Sequence, residues 1–140
     1  MLSLTTIKKA INDKIALKFP SIEILSNDVK EGFGRPSFFV KLDNITKDSR
    51  LYTTQKSITV RIYYFSSNRY KNDIENMEKS DALEEIFNLN FVAGGKTITI
   101  NETRSNVIDG VLEFEFDFDY QDSNYVEDDS ELMEELINNV

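Results

Sequence analysis

Apolar and acidic residues alternate strictly over one stretch of the chain, from Val111 to Tyr120. Large apolar side chains occupy Leu112, Phe114, Phe116, Phe118 and Tyr120, and carboxylates occupy Glu113, Glu115, Asp117 and Asp119. Successive side chains of a strand point to opposite faces, so this pattern predicts a strand. Its apolar face must be buried, and its acidic face must be solvated or paired with cations. We expect the strand to lie in an antiparallel sheet.

Helical spacing occurs in three places. Over about residues 5–19, apolar side chains recur every three or four positions, and Pro20 then ends the helix. A less regular stripe predicts a second helix over roughly 73–88. After a polar, acidic stretch over 121–130, Ser130 is placed to cap a short amphipathic helix. We expect the first two helices to cover one face of the sheet.

The remaining strands follow from β-branched and aromatic runs between turn residues. Strands or extended segments are predicted over residues 21–29, 37–45, 51–65, 91–93 and 96–101. Residues 44–49 are polar and predict a turn. Gly94-Gly95 and Asp109-Gly110 predict hairpin turns, because both sequences tolerate positive φ angles. Lys41 and Arg61 fall on the outward faces of their strands and are the natural cross-strand partners of the carboxylates at 113–119.

These elements predict an α+β fold. An antiparallel or mixed sheet carries an N-terminal helix and a central helix on one face, and a short C-terminal helix follows on an acidic linker. We expect one α+β domain over residues 1–121, and the linker and amphipathic helix over 122–140.

Composition argues against an enzyme. The 140 residues include no cysteine and no histidine, so disulfides, thiolate metal sites and the usual Ser-His or Cys-His nucleophile pairs are excluded. We expect no catalytic residues, no cofactor and no metal. No apolar stretch is long enough to span a membrane, and we expect no signal peptide and synthesis in the cytosol.

Charge is distributed unevenly. From Glu102 onward there are 13 acidic residues and one basic residue, whereas the region between Arg35 and Lys71 holds eight basic and two acidic residues. Such asymmetry can be neutralised within the fold, or it can favour head-to-tail contacts between identical subunits. The candidate residues for a subunit or partner interface are Phe33, Arg35, Arg50, Arg61, Leu132 and Leu136.

The run from Ile7 to Leu42 resembles the start of a family of small phage and prophage proteins from Gram-positive bacteria, which is grouped with tail terminators. The matching features are Lys18-Phe19-Pro20 at the helix end, the Ile22-Glu23-Ile24 strand, and Gly32-Phe33 followed by Arg35-Pro36-Ser37-Phe38-Phe39-Val40. The later aromatic strand, helix and last strand continue the resemblance. We carry nothing over at Gly34 or in the acidic tail from Gln121.

The resemblance implies a structural protein without a catalytic signature. Members of such a family form a ring, usually of six subunits, that stops polymerisation of the tail tube and forms the joint with the head. The implied partners are the chain itself, the tail tube protein and head–tail connector proteins, with no membrane. The implied location is the tail of a virion or phage-like particle, after synthesis in the host cytoplasm.

A ring gives the acidic strand face a possible role. Glu113, Glu115, Asp117 and Asp119 could line the channel, where they would repel phosphate, so that DNA passes through without being specifically bound. A solvated or ion-paired face is the alternative explanation of the same four residues.

Two other function classes remain open. Carboxylates on one strand face repeat at about 6.6–6.8 Å, close to the spacing of DNA phosphates, which suits an inhibitor that mimics DNA. A metal-dependent hydrolase could use the same row, but a straight strand holds its side chains parallel, whereas ligands of one ion must converge.

Overall fold

The computed structural model describes residues 2–25 and 34–123. In chain order, its elements are α1 (Leu4–Lys18), β1 (Glu23–Leu25), β2 (Ser37–Ser49), β3 (Thr53–Phe65), α2 (Asp73–Ile86), β4 (Asn90–Ala93), β5 (Lys96–Thr99), β6 (Glu102–Ile108) and β7 (Val111–Ser123). Five strands form one sheet in the order β1-β2-β3-β7-β6, and β4 and β5 pair separately. Within the described sheet, β1 runs parallel to β2 and the other neighbours are antiparallel. The predicted α+β class is confirmed, with the mixed form of the sheet.

Helix α1 forms where the apolar spacing predicts it. The Ser3 side chain caps it by accepting a hydrogen bond from the Thr6 backbone N–H at 3.2 Å. Its apolar stripe is fully buried against the sheet and consists of Ile7, Ile11 and Ile15. The helix ends at Lys18, just before Phe19 and Pro20.

Helix α2 has two apolar lines, and only one of them is buried. Leu83 and the following Phe87 are fully buried, whereas Ile74 and Met77 are 70% and 60% exposed. The irregular stripe in the sequence therefore reflects a helix that contributes one line to the core and presents the other at the surface.

The predicted turn over residues 44–49 is wrong, because β2 continues to Ser49. A bulge interrupts the pairing with β3 after Asp43, and Asn44 at this bulge has a positive φ of 48°. From Asn44 onward, every residue of β2 is exposed. Backbone pairing does not require apolar side chains, so a hairpin arm can be polar throughout. The β2 arm of the β2–β3 hairpin thus extends beyond the core, whereas Thr54 on the β3 arm is buried. Residues 50–52 form the tip of the hairpin.

The core lies between the sheet and a layer made of α1, α2 and the β4–β5 hairpin. On β7, Phe114, Phe116 and Phe118 are fully buried. The Phe116 ring centroid lies 5.2 Å from that of Phe87, and the Phe118 centroid lies 5.3 Å from that of Phe91. Burying each such ring contributes about 1.5–3 kcal/mol. The alternating stretch therefore supplies the centre of the core, as its pattern predicts.

Strand β7 continues past the predicted domain boundary at residue 121. Asp122 accepts hydrogen bonds from the Leu2 backbone N–H at 2.9 Å and from Lys96 Nζ at 2.8 Å. These bonds connect the end of β7 to the residues just before α1 and to the β4–β5 hairpin. The rest of the predicted linker and the C-terminal amphipathic helix lie outside the described residues. Within residues 2–25 and 34–123, no helix is both long and apolar enough to cross a membrane.

Candidate functional site

The side of the sheet that faces away from the helices is the candidate site, and we call it the polar face. The register sets Arg61 of β3 directly opposite Lys41 of β2 and Glu115 of β7. Its polar members include Lys41, Asp43, Ser57, Thr59, Arg61, Arg104, Glu113, Glu115, Asp117 and Asp119. Most of these side chains come from the centres of strands, so the sheet holds their backbones in fixed positions.

Arg61 is the centre of this surface. Its Nη1 lies 2.7 Å from a carboxylate oxygen of Glu113 and 2.7 Å from one of Glu115, and its Nε lies 3.2 Å from Asp43. The fixed fork of the guanidinium group suits such bridging of several carboxylates. The hydrogen bond with Glu113 is the main factor that raises the pKa of Arg61. Arg61 therefore connects three strands, β2, β3 and β7.

Arg104 of β6 pairs with the same row from the other side. Its Nε lies 2.9 Å from Glu115, and its Nη1 lies 3.2 Å from Asp117. The two bonds, first to Glu115 and then to Asp117, raise the pKa of Arg104. Glu115 is thus held between Arg61 and Arg104. A hollow of about 550 Å³ opens at this point, lined by both arginines, Glu113 and Glu115.

Hydroxyl groups of β3 bond to the far end of the acidic row. Thr59 donates to Asp117 and Ser57 donates to Asp119, each at 2.6 Å. The bond from Thr59 is the largest influence that lowers the pKa of Asp117, with Arg104 adding to it. On β2, the backbone N–H of Asn44 is the first cause of the lowered pKa of Asp43. The carboxyl groups of Asp117 and Asp43 are therefore stabilised in their charged form.

The acidic row is for the most part neutralised within the sheet. Glu113, Glu115 and Asp117 are ion-paired, whereas Asp119 is exposed and bonds to Ser57. Of the two partners that the sequence indicated, Arg61 pairs with this row, whereas Lys41 forms no ion pair with it among the described residues. Arg104 is a second partner. Among the described residues, no group of three His, Cys, Asp or Glu is arranged to hold a metal ion. The geometry does not favour a DNA mimic, because most of these carboxylates already bond to arginines.

The predicted interface arginines are not brought together. Arg35 precedes a cis peptide bond to Pro36 and donates to the Ser66 carbonyl at 3.1 Å, at one end of the β2–β3 pair. Arg50 lies at the hairpin tip, 3.3 Å from Asp48, at the other end. Arg61 lies between them, in the polar face. Phe33, Leu132 and Leu136 lie outside the described residues, so their predicted roles remain predictions.

Sequence reasoning missed Arg104 as a partner, although a signal was present. The Asp109-Gly110 turn sets Ile108 opposite Val111, and counting back along both strands sets Arg104 opposite Glu115. It also missed a groove of about 450 Å³ between α2 and β6, for which the local pattern offers no signal. The groove is lined by Asp73, Asn76, Met77, Ser80, Ser105, Asn106, Val107 and Leu112.

Comparison with known proteins identifies one family. A family model described as phage tail terminator protein matches residues 6–131, which includes every described strand, all of α2 and most of α1, and reaches into the acidic tail. A comparison with curated proteins returns no match. The matched family is one of structural components of phage tails. Since the match covers most of the chain, this protein belongs to the phage tail terminator family.

Proposed function

We propose that the protein forms a ring, of six subunits, that caps the tail tube and joins it to the head. The observation that carries this proposal is the family match over residues 6–131. The chemistry of the chain agrees with it, because a protein without histidine or cysteine is suited to binding rather than to turnover. Its partners are then other copies of the chain, the tube protein and the connector proteins of the head.

The uneven charge supports a head-to-tail ring. The exposed surface of α2 is acidic, with Glu78 and Asp81 among its exposed residues, whereas the β2–β3 hairpin carries Lys47 and Lys56. A contact that joins unlike surfaces repeats from one copy to the next and closes a ring if the rotation allows it. On this proposal the protein is made in the host cytoplasm and ends in the tail of the particle.

The central test is assembly with the tube. Purified protein should form one ring species by light scattering, and it should stop elongation when added to polymerising tube protein. Electron microscopy should then find one ring at one end of each tube. A chain that leaves tube length unchanged at saturating concentration would contradict the proposal.

We also propose that the polar face lines the channel. Among the described residues, this face carries more carboxylates than cations, so it keeps a net negative charge after the ion pairs have formed. A wall of that charge would repel DNA phosphates. The paired charges keep that repulsion moderate. The role of Arg61 is then internal, to hold three strands of the wall in register.

Charge reversal tests the channel assignment. Rings of Asp119→Lys should retain duplex DNA at low salt, whereas Glu84→Lys, an equal charge change on exposed α2, should not. Retention should weaken as salt rises, because phosphate contacts release counterions. Equal retention by both variants would place the polar face outside the channel and would leave the capping proposal intact.

A further inference from the structure

The groove between α2 and β6 has the features of an unfilled binding site. Its floor includes buried Leu112, and its walls present Met77 and Val107, which are 60% and 48% exposed. Ile74, which is 70% exposed, lies about one helical turn before Met77 on α2. Apolar walls left open in this way point to a missing occupant.

The rim of the groove is acidic. Asp73 lines it, and the exposed Asp81 lies one helical turn from Met77. The one lysine of α2, Lys79, is directed elsewhere, over the rings of Phe19 and Tyr64 at 5.4 Å from each centroid. An occupant that brings both apolar side chains and positive charge would therefore match this site.

The tip of the β2–β3 hairpin has those complementary features. Leu51 and Tyr52 are adjacent and are 80% and 63% exposed, and Arg50 precedes them. Just behind the tip, Lys47 and Lys56 are direct cross-strand neighbours. Two like charges in that arrangement destabilise a sheet unless acidic groups lie nearby.

The hairpin tip cannot fill the groove of its own subunit. Thr53 at the tip pairs with Ser123, whereas Leu112 in the groove pairs with Tyr64 at the other end of the same two strands. Eleven residues of strand separate those positions, a distance of about 36 Å. The two complementary surfaces therefore lie at opposite ends of the sheet, and only two different copies can bring them together.

We propose that the β2–β3 hairpin tip of one subunit inserts into the α2–β6 groove of the next. Leu51 and Tyr52 enter between Met77 and Val107, and Lys47 and Lys56 approach the acidic rim of α2. The contact is heterologous, so it propagates in one direction around an assembly. This inference deepens the proposed ring and names the surfaces that join its subunits.

Cysteine cross-linking provides the test, because the chain has no native cysteine. Leu51→Cys and Met77→Cys in one chain should give a ladder of covalent oligomers on oxidation. When the two single variants are mixed, they should give mainly a dimer containing one copy of each. The control pair, Leu51→Cys with Leu17→Cys, uses a position that is 85% exposed on α1 and should give no ladder.

Each other outcome overturns the inference. Linked dimers of Leu51→Cys alone, or of Met77→Cys alone, would indicate a two-fold contact. A link from Met77→Cys to Leu132→Cys would assign the groove to the C-terminal segment. A chain that remains monomeric and unlinked at millimolar concentration would show that no second copy of the chain occupies the groove.

Charge exchange tests the same contact without cysteines. Lys47→Glu with Lys56→Glu should weaken self-association about tenfold, and adding Asp73→Lys with Asp81→Lys to that chain should restore it. The two proposals fail separately. Rings that cap tubes but do not link residues 51 and 77 refute only this contact, whereas linked rings that never cap tubes refute only the proposed function.

Discussion

The helix-side face and the polar face of the sheet share strand β7, yet they exclude water to different degrees. On the helix side, Phe114, Phe116 and Phe118 are fully buried and contact other rings. On the polar side, Arg61 keeps 25% of its side chain exposed while it contacts three carboxylates. Stability should therefore come mainly from the first face, whereas the second adds specific cross-strand geometry.

The difference follows from how each interaction responds to water. Burial of an aromatic ring gains free energy in proportion to the area removed from solvent. A partly exposed ion pair gains little, because water screens it and each charge loses some hydration. The polar face can therefore be exposed to a channel or a partner at little cost to the fold.

The largest effect should follow from Phe116→Ala. Phe116 is fully buried and contacts Phe87 and Phe91, so removing its ring leaves a cavity and should lower the free energy of unfolding by about 3–5 kcal/mol. Urea denaturation measures this change in the free energy of unfolding. Tyr70→Ala, at a side chain that is 86% exposed, is the control and should change stability by less than about 0.5 kcal/mol. Equal losses would mean that the core lies elsewhere.

A smaller loss should follow from Arg61→Met. Without the guanidinium group, Glu113 and Glu115 remain close together without their shared cation, so we expect a loss of about 1–3 kcal/mol in the same assay. Lys41→Met, at the exposed residue directly opposite on β2, should have almost no effect. A loss as large as that of Phe116→Ala would remove the contrast between the two faces.

Acid should destabilise the protein in a defined direction. The pKa values of Asp117, Asp122 and Glu75 are lowered in the folded protein. Burial alone would raise them, but hydrogen bonds from Thr59, Lys96 and Ser67, respectively, help to outweigh it. Ordinary carboxyl groups titrate near pH 4, so the unfolded chain binds protons there before the folded chain does. The free energy of unfolding should be constant from about pH 5 to about pH 8 and should fall as pH drops below about 4.

Asp117→Asn isolates one part of that acid effect. It should reduce stability at pH 7 and flatten the fall at low pH, because the lowered pKa of Asp117 is then absent. Unfolding curves recorded from pH 3 to 7 for both chains provide the comparison. An unchanged slope would show that Asp117 is not bonded in the folded protein.

The smallest effect should follow from Asp119→Asn. Asp119 is exposed and bonds to Ser57, so this substitution should change stability by less than about 0.5 kcal/mol. Chemical denaturation of Asp119→Asn beside Asp117→Asn ranks the two positions. A larger loss at Asp119 would reverse the expected order along the acidic row.

The two faces also differ in how well sequence reasoning predicted them. The apolar face of β7 followed directly from its alternation, and helix α1 from its spacing and Pro20. The Arg61 pairing with Glu115 was anticipated only in kind, and Arg104 was missed although counting from Asp109-Gly110 would have found it. The arm of β2 beyond Asn44 was taken for a turn, because local polarity reports solvent exposure and not the absence of backbone pairing.

The sequence by itself determined which face of each main element is apolar, because strand and helix periodicity are local properties of the backbone. It also determined that histidine and cysteine chemistry are absent. Only the tertiary structure decided that Arg61 and Arg104 neutralise the acidic row, and that the hairpin tip and the α2–β6 groove lie at opposite ends of the sheet. Those facts depend on strand order and register, which arise from contacts between residues far apart in the chain.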